Sequence, residues 1–180
     1  METPDSPKPT NGNNLHLPDV NFKRVLVPVD FSAGTLETLG YATSLARPFD
    51  AVVEVLHVIQ PNLNRREESR LHPGLIRTMS EGARQELKKL VGILQTHESG
   101  DKFSVRVREG CAYQVILNEA YSSNADLIVM GTRARSWLSG LLRHHTVKRV
   151  IQNSPCPVMV LRPAVKGSGA NLRIAALQAL

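Results

Sequence analysis

Aromatic residues are scarce, at 4% of the 180 positions, so any packed interior has to be aliphatic. Cysteine is scarcer still. Cys111 and Cys156 are too few for a disulfide framework, and both are expected to act as small hydrophobes at element ends. No run of about 18 apolar residues occurs, which argues against a membrane-spanning helix. The stretch Met1–Val20 is polar and rich in Pro and Asn. It lacks the apolar centre of a secretory signal, so a cytoplasmic location is expected. Acidic residues stop at Asp126. Beyond it the chain carries a formal charge of +8, against −2 for residues 1–126. Such a segment attracts anions by Coulomb steering, though a solvated helix face with a basic tail has the same composition. Nucleic acid is not an expected partner, because no aromatic interleaving or groove-reading motif accompanies the charge.

Several motifs are missing as well. There is no Walker A loop, no dinucleotide fingerprint and no Gly-x-Ser-x-Gly elbow around Ser32 or Ser136, which weighs against an ordinary NTPase, dehydrogenase or serine hydrolase. His16, His57, His72 and His97 are scattered, and His144 and His145 are adjacent. Neighbours on a helix point about 100° apart and do not chelate one ion, so no metal is expected. His57 lies inside an apolar strand and is expected to be a hydrogen-bonded core histidine. With no general base paired to a nucleophile or metal, a dedicated enzyme is not expected.

What is present is a regular alternation of strands and helices. Residues 1–21 form an N-terminal arm of disordered composition. Val25-Leu26-Val27-Pro28-Val29 is a short buried strand closed by Asp30, with Pro28 admissible only near its end. Ser32 is a candidate N-cap for a helix through Arg47, with Leu36, Leu39 and Leu45 inward, and Pro48 stops it. Val52–Ile59 is a second buried strand and Gln60–Gly74 a charged loop. Leu75, Ile76, Met79, Ala83, Leu87, Leu90, Val91 and Leu94 recur at helical spacing. Phe103, Val105 and Val107 alternate with Ser104, Arg106 and Arg108, the pattern of an edge strand with one wet face. A helix through Ile116 follows, then the buried strand Leu127–Met130, a Ser- and Arg-rich loop, a helix near 144–152 and a last strand from Pro157 to Leu161. Residues 164–180 are a flexible tail ending in a short helical or irregular apolar segment.

Such alternation, with three wholly apolar strands, predicts an open five-stranded parallel sheet with helices on both faces, doubly wound. Ligands of such sheets bind beyond the C-terminal strand ends, here at Asp30, Ile59, Gly110 and Gly131.

Three segments resemble the universal stress protein family. Val25–Ser32 is similar to its opening strand, Ala125–Thr132 to its fourth strand and turn, and Ser154–Leu161 to its closing strand. Order and spacing agree over a domain at 22–163. The resemblance implies an adenine-nucleotide α-hydrolase-like fold and a stress-response or regulatory role passed on through a protein partner not named by the sequence. It also implies a homodimer. The apolar edge Val158, Met159, Val160 and Leu161 independently invites strand pairing between two copies.

Members of the family that bind ATP carry a Gly, two residues, Gly, nine residues, Gly, then Ser or Thr. On that resemblance the candidate nucleotide-binding residues are Pro28, Val29, Asp30 and Val58 at the adenosine end. Met130, Gly131, Thr132, Arg133, His144, His145 and Thr146 lie at the phosphate end. The glycines let backbone amides approach phosphate, and the following helix offers free N–H groups. This chain keeps Gly131 and Asp30 but has Ala134, His144 and His145 at the other three positions. Two readings stand open. Either nucleotide binding is lost and the domain works through protein contacts, or Arg133, Arg135, Arg143, His144 and His145 replace the cradle and hold ATP directly, with slow hydrolysis. An enzyme of the related adenine-nucleotide hydrolases or transferases is a further class, by analogy of fold alone.

Overall fold

Val25, Leu26 and Val27 lose all contact with solvent, which is the fate of a central strand covered on both faces. The computed structural model describes residues 21–60, 73–95, 100–131, 144–162 and 174–176, with Pro73, His144, His145 and 174–176 as backbone alone. The elements are β1 (Arg24–Val29), α1 (Thr35–Ala46), β2 (Val52–Ile59), α2 (Pro73–Gln95), β3 (Lys102–Glu109), α3 (Ala112–Ser123), β4 (Leu127–Gly131), α4 (His144–Asn153), β5 (Val158–Leu161) and β6 (Ile174–Ala176). They form one sheet in the order β3-β2-β1-β4-β5-β6. The first five strands are parallel, as expected, and β6 is added antiparallel on β5.

The two-residue period of the strands sorts the core into two layers. Val25, Val27, Val29, Val53, Val55 and Val129 pack with Leu39 and Ala42 of α1 and Leu87 and Val91 of α2. Leu26, Leu56, Ile128 and Met130 point the other way, onto Ile116 and Ala120 of α3 and Val150 of α4. β1, β2 and β4, covered on both faces, therefore need apolar residues at consecutive positions, and the sequence shows such runs.

β3 lies at the edge, where its alternation places it. Its polar face is not simply wet. Arg106 pairs with Glu119 of α3 at 3.1 Å and reaches Glu54 of β2 at 3.5 Å, while Arg108 holds Glu119 at 2.9 Å. Arg24 closes the chain of charges on Glu54 at 2.9 Å. Glu54 is only 1% exposed. Three guanidinium groups thus roof a stretch of sheet with two carboxylates, and their aliphatic stems cover apolar surface.

Several local expectations are corrected. Gly34, not Ser32, is the N-cap of α1. The Ser32 N–H is taken by Asp30 Oδ1 at 3.1 Å, and Thr35 N–H bonds back to the Ser32 carbonyl at 2.9 Å, so a turn precedes the helix and delays its start. That shift rotates the buried stripe to Thr35, Thr38, Leu39, Ala42, Thr43 and Ala46. Leu36 is left 40% exposed. In α2 the inward stripe begins at Ala83, and Leu75 and Met79 stay exposed. Pro73 and Gly74, assigned to the loop by sequence, belong to α2. The rest of that loop, like residues 1–20, lies outside the described residues. Within the tail Ile174–Ala176 form a strand, where a short helix was one expectation, and the rest of 164–180 lies outside the described residues. Cys111 is exposed just before α3. Cys156 packs with the α3–α4 layer, and burial pushes its thiol pKa up despite a hydrogen bond with the Ser154 hydroxyl.

Leu39 and Leu36 offer a direct check on this register. Leu39→Ala is expected to cost about 2–5 kcal/mol of unfolding free energy and Leu36→Ala less than about 1 kcal/mol. Denaturant unfolding of the two variants reads the difference, and equal losses would mean that α1 is rotated from the position described.

Candidate functional site

The sheet has one topological reversal. From β1 the chain crosses toward β2 and β3, and from β4 toward β5, so the C-terminal ends of β1 and β4 flank the point where ligands of open α/β sheets bind. The backbone around that point is set by a proline. The Lys23 carbonyl accepts from Val52 N–H and the Arg24 carbonyl from Asp126 N–H, each at 2.9 Å. Strand alternation then turns the backbone groups of odd residues in β1 toward β2 and those of even residues toward β4. Pro28 is even. Continuing the β1–β4 ladder past Leu26↔Ile128 requires a donor from residue 28 to the Val129 carbonyl, and proline has none. The register with β4 ends at Leu26↔Ile128, whereas that with β2 runs on to Val29↔His57. At the other end of the same seam Asp126 Oδ2 accepts from the N–H groups of Lys23 and Arg24 at 2.7 and 2.9 Å. The seam is closed at its base and open at its top.

Asp30 is exposed immediately above that opening, with its carboxylate oriented by the Ser32 N–H. The next residue, Phe31, adopts φ +54°, a left-handed conformation that costs a non-glycine residue about 1–2 kcal/mol. Its ring meets that of His57 with centroids 4.4 Å apart, tilted by 41°. His57 Nδ1–H donates to the Val29 carbonyl at 2.9 Å, so the imidazole is pinned by a hydrogen bond on one atom and an aromatic contact on its face. This is the hydrogen-bonded histidine expected from the sequence, standing at the rim instead of in the deep core. The strained Phe31 was not expected. Only its place after Asp30 hinted at it.

Gly131 ends β4 on the far side of the opening. A Cβ at this position would lie 2.5 Å from Thr38 Oγ1 of α1, whose hydroxyl donates to the Gly34 carbonyl at 2.9 Å. Glycine is therefore needed here for the close approach of α1 to β4, whatever the site binds. Thr38 was another residue that sequence reasoning passed over. Val29 and Met130 are buried beneath the opening, Pro28 and Val58 are half-buried, and the strand ends bring these four residues together with Asp30 and Gly131. Thr132, Arg133 and Ala134 lie outside the described residues. His144 and His145 open α4 as backbone, and Thr146 is half-buried in its first turn. The right-handed β4–α4–β5 crossover starts α4 on the side of the sheet where the strands end, so its N–H groups face the same rim. No acidic residue lies in its first turn. Among the described residues no group of three His, Cys, Asp or Glu side chains could hold a metal ion.

The family model described as "Universal stress protein family" matches residues 21–162. Universal stress protein MJ0531 of Methanocaldococcus jannaschii is 31% identical over 160 residues, covering 87% of this chain and 88% of that protein. Among solved structures, hypothetical protein MJ0577 superposes with a TM-score of 0.67 at 24% identity, covering 83% of this chain and all of that one. A universal stress protein in complex with cAMP superposes with a TM-score of 0.56 at 18% identity, covering 81% of this chain and all of its own.

The contact beneath the rim predicts a coupled pair. Gly131→Ala is expected to cost about 1–3 kcal/mol through overpacking on Thr38. Adding Thr38→Ala removes the clashing oxygen and is expected to recover about 1 kcal/mol relative to additivity. Thermal unfolding of both single variants and the double variant measures this, and strictly additive losses would contradict the close approach.

Proposed function

The chain belongs to the universal stress protein family, and from that premise we propose that it is a non-enzymatic regulatory module whose nucleotide site keeps its adenosine half and has an altered phosphate half. The observation that carries this is the seam between β1 and β4, whose pairing ends at Leu26↔Ile128 with Asp30 and Gly131 on either side. A carboxylate at this rim suits a ribose hydroxyl, which donates to it. In this reading the edge of a base meets the chain beyond the ends of β1 and β2, past Val29, whose own carbonyl is taken by His57 Nδ1–H, and past Val58. The ring of Phe31 adds an apolar face beside them. A relative solved with cAMP supports a small adenine nucleotide as the class of ligand.

The phosphate half differs in chemistry. Ala134, His144 and His145 stand where the family's binding pattern has two glycines and a hydroxyl residue, so the β- and γ-phosphates gain little from backbone donors. The domain then reports nucleotide occupancy to a protein partner and has no hydrolytic step. In a second reading, favoured by the lack of any acid after Asp126, Arg and His side chains hold the triphosphate and slow hydrolysis follows. The apolar strand Val158, Met159, Val160 and Leu161 is, in the same proposal, the seam of a homodimer.

Calorimetry on nucleotide-stripped protein separates these readings. AMP is expected to bind saturably and ATP with Mg²⁺ less than about tenfold more tightly, with Asp30→Ala weakening both at least about tenfold. A much larger preference for ATP that grows as the pH falls through about 6.5, where His ordinarily gains its positive charge, would favour the side-chain cradle. Absence of heat with either nucleotide up to millimolar concentration would remove the nucleotide site and leave a protein-binding module.

A further inference from the structure

β5 would be the outer strand of the sheet were it not for Ile174–Ala176. That segment lies antiparallel on it, with Met159 opposite Ala176, Val160 opposite Ala175 and Leu161 opposite Ile174. The kind of pair follows from alternation. Ile128 N–H donates to the Pro157 carbonyl at 3.0 Å, so residues 157, 159 and 161 turn their backbone groups toward β4, and 158 and 160 turn theirs outward. Val160 and Ala175 are therefore the hydrogen-bonded pair of this short ladder, and the two flanking pairs are not hydrogen-bonded to each other.

We propose that Ile174–Ala176 stands in for the β5 of a second copy and, by holding this edge, limits self-association of the chain. The inference rests on the proposal that β5 is the dimer strand. Two copies related by a two-fold axis bring identical edge strands together antiparallel, which is the sense in which β6 already lies. The described ladder pairs three of the four residues of β5 with 174–176. A second β5 can engage all four. Val158 and Met159 remain half-buried and able to bury more against a partner strand. A second β5 brings the apolar run Val158–Leu161 to this edge, and the tail competes through its high local concentration.

Full-length variants test this by sedimentation equilibrium, with folding checked by cooperative thermal unfolding. Ala175→Pro removes the donor to the Val160 carbonyl and is expected to tighten dimerisation at least about tenfold. Ala175→Val keeps the N–H and is expected to stay within about threefold of the parent. A disulfide between Met159→Cys and Ala176→Cys, a closely spaced non-hydrogen-bonded pair, with Cys111→Ser and Cys156→Ser, locks the tail down. Its oxidised form is expected to remain monomeric where its reduced form dimerises, which decides the question even if Ala175→Pro does not fold. Equal dimerisation of the oxidised and reduced forms would overturn the gating role while leaving the homodimer intact. Monomers throughout, at up to millimolar chain, would overturn both.

Discussion

A missing hydrogen-bond donor shapes the site. Pro28 occupies the second-last position of a central strand, where a proline is normally excluded, and it is tolerated because its nitrogen faces the β4 side just where the ladder stops. Below it the seam is pinned by Asp126, which accepts from the N–H groups of Lys23 and Arg24 and donates its own to the Arg24 carbonyl. Above it the pairing of β1 with β4 stops, at the place where the sheet reverses direction. The rim residues follow from that geometry. Asp30 and Phe31 leave β1 into a tight turn, His57 locks onto Val29, and Gly131 lets α1 close over the end of β4. Two aliphatic layers hold the whole arrangement, so the opening sits on a rigid base.

Much of this was legible in the sequence because the signals were redundant. Four strands are apolar at consecutive positions and one alternates, which gives the buried strands and the β3 edge directly. Gly131 and Asp30 stood out because each directly follows an apolar strand run. What could not be read depended on contacts between distant segments. The inward face of α1 moved by one residue because Asp30 captured the Ser32 N–H, an interaction that helix periodicity does not encode. Glu54 lies in an apolar strand and is buried only because Arg24 and Arg106 reach it from neighbouring strands. The strand at 174–176 depends on the edge it joins. Within Ile174-Ala175-Ala176 only the first residue favours a strand, the two alanines favour a helix, and the β form comes from pairing with the edge of β5.

The two ends of the basic segment after Asp126 lie at different places on the sheet. Near the strand ends, α4 begins with no acid in its first turn, so the partial positive charge of its N-terminus is not offset there. Farther along, the chain returns to cover the edge through which two copies are proposed to meet. One segment after Asp126 therefore supplies both the start of α4 and the strand that borders the sheet.

Amide chemical shifts followed by nuclear magnetic resonance during an AMP titration test the central claim most directly. If the opening above the β1–β4 seam is the binding site, the N–H signals of Asp30, Phe31 and Gly131 shift together and saturate, while those of Lys23, Arg24 and Asp126 at the closed end stay in place. Shifts clustered at the closed end, or none at any of these residues up to millimolar AMP, would contradict it.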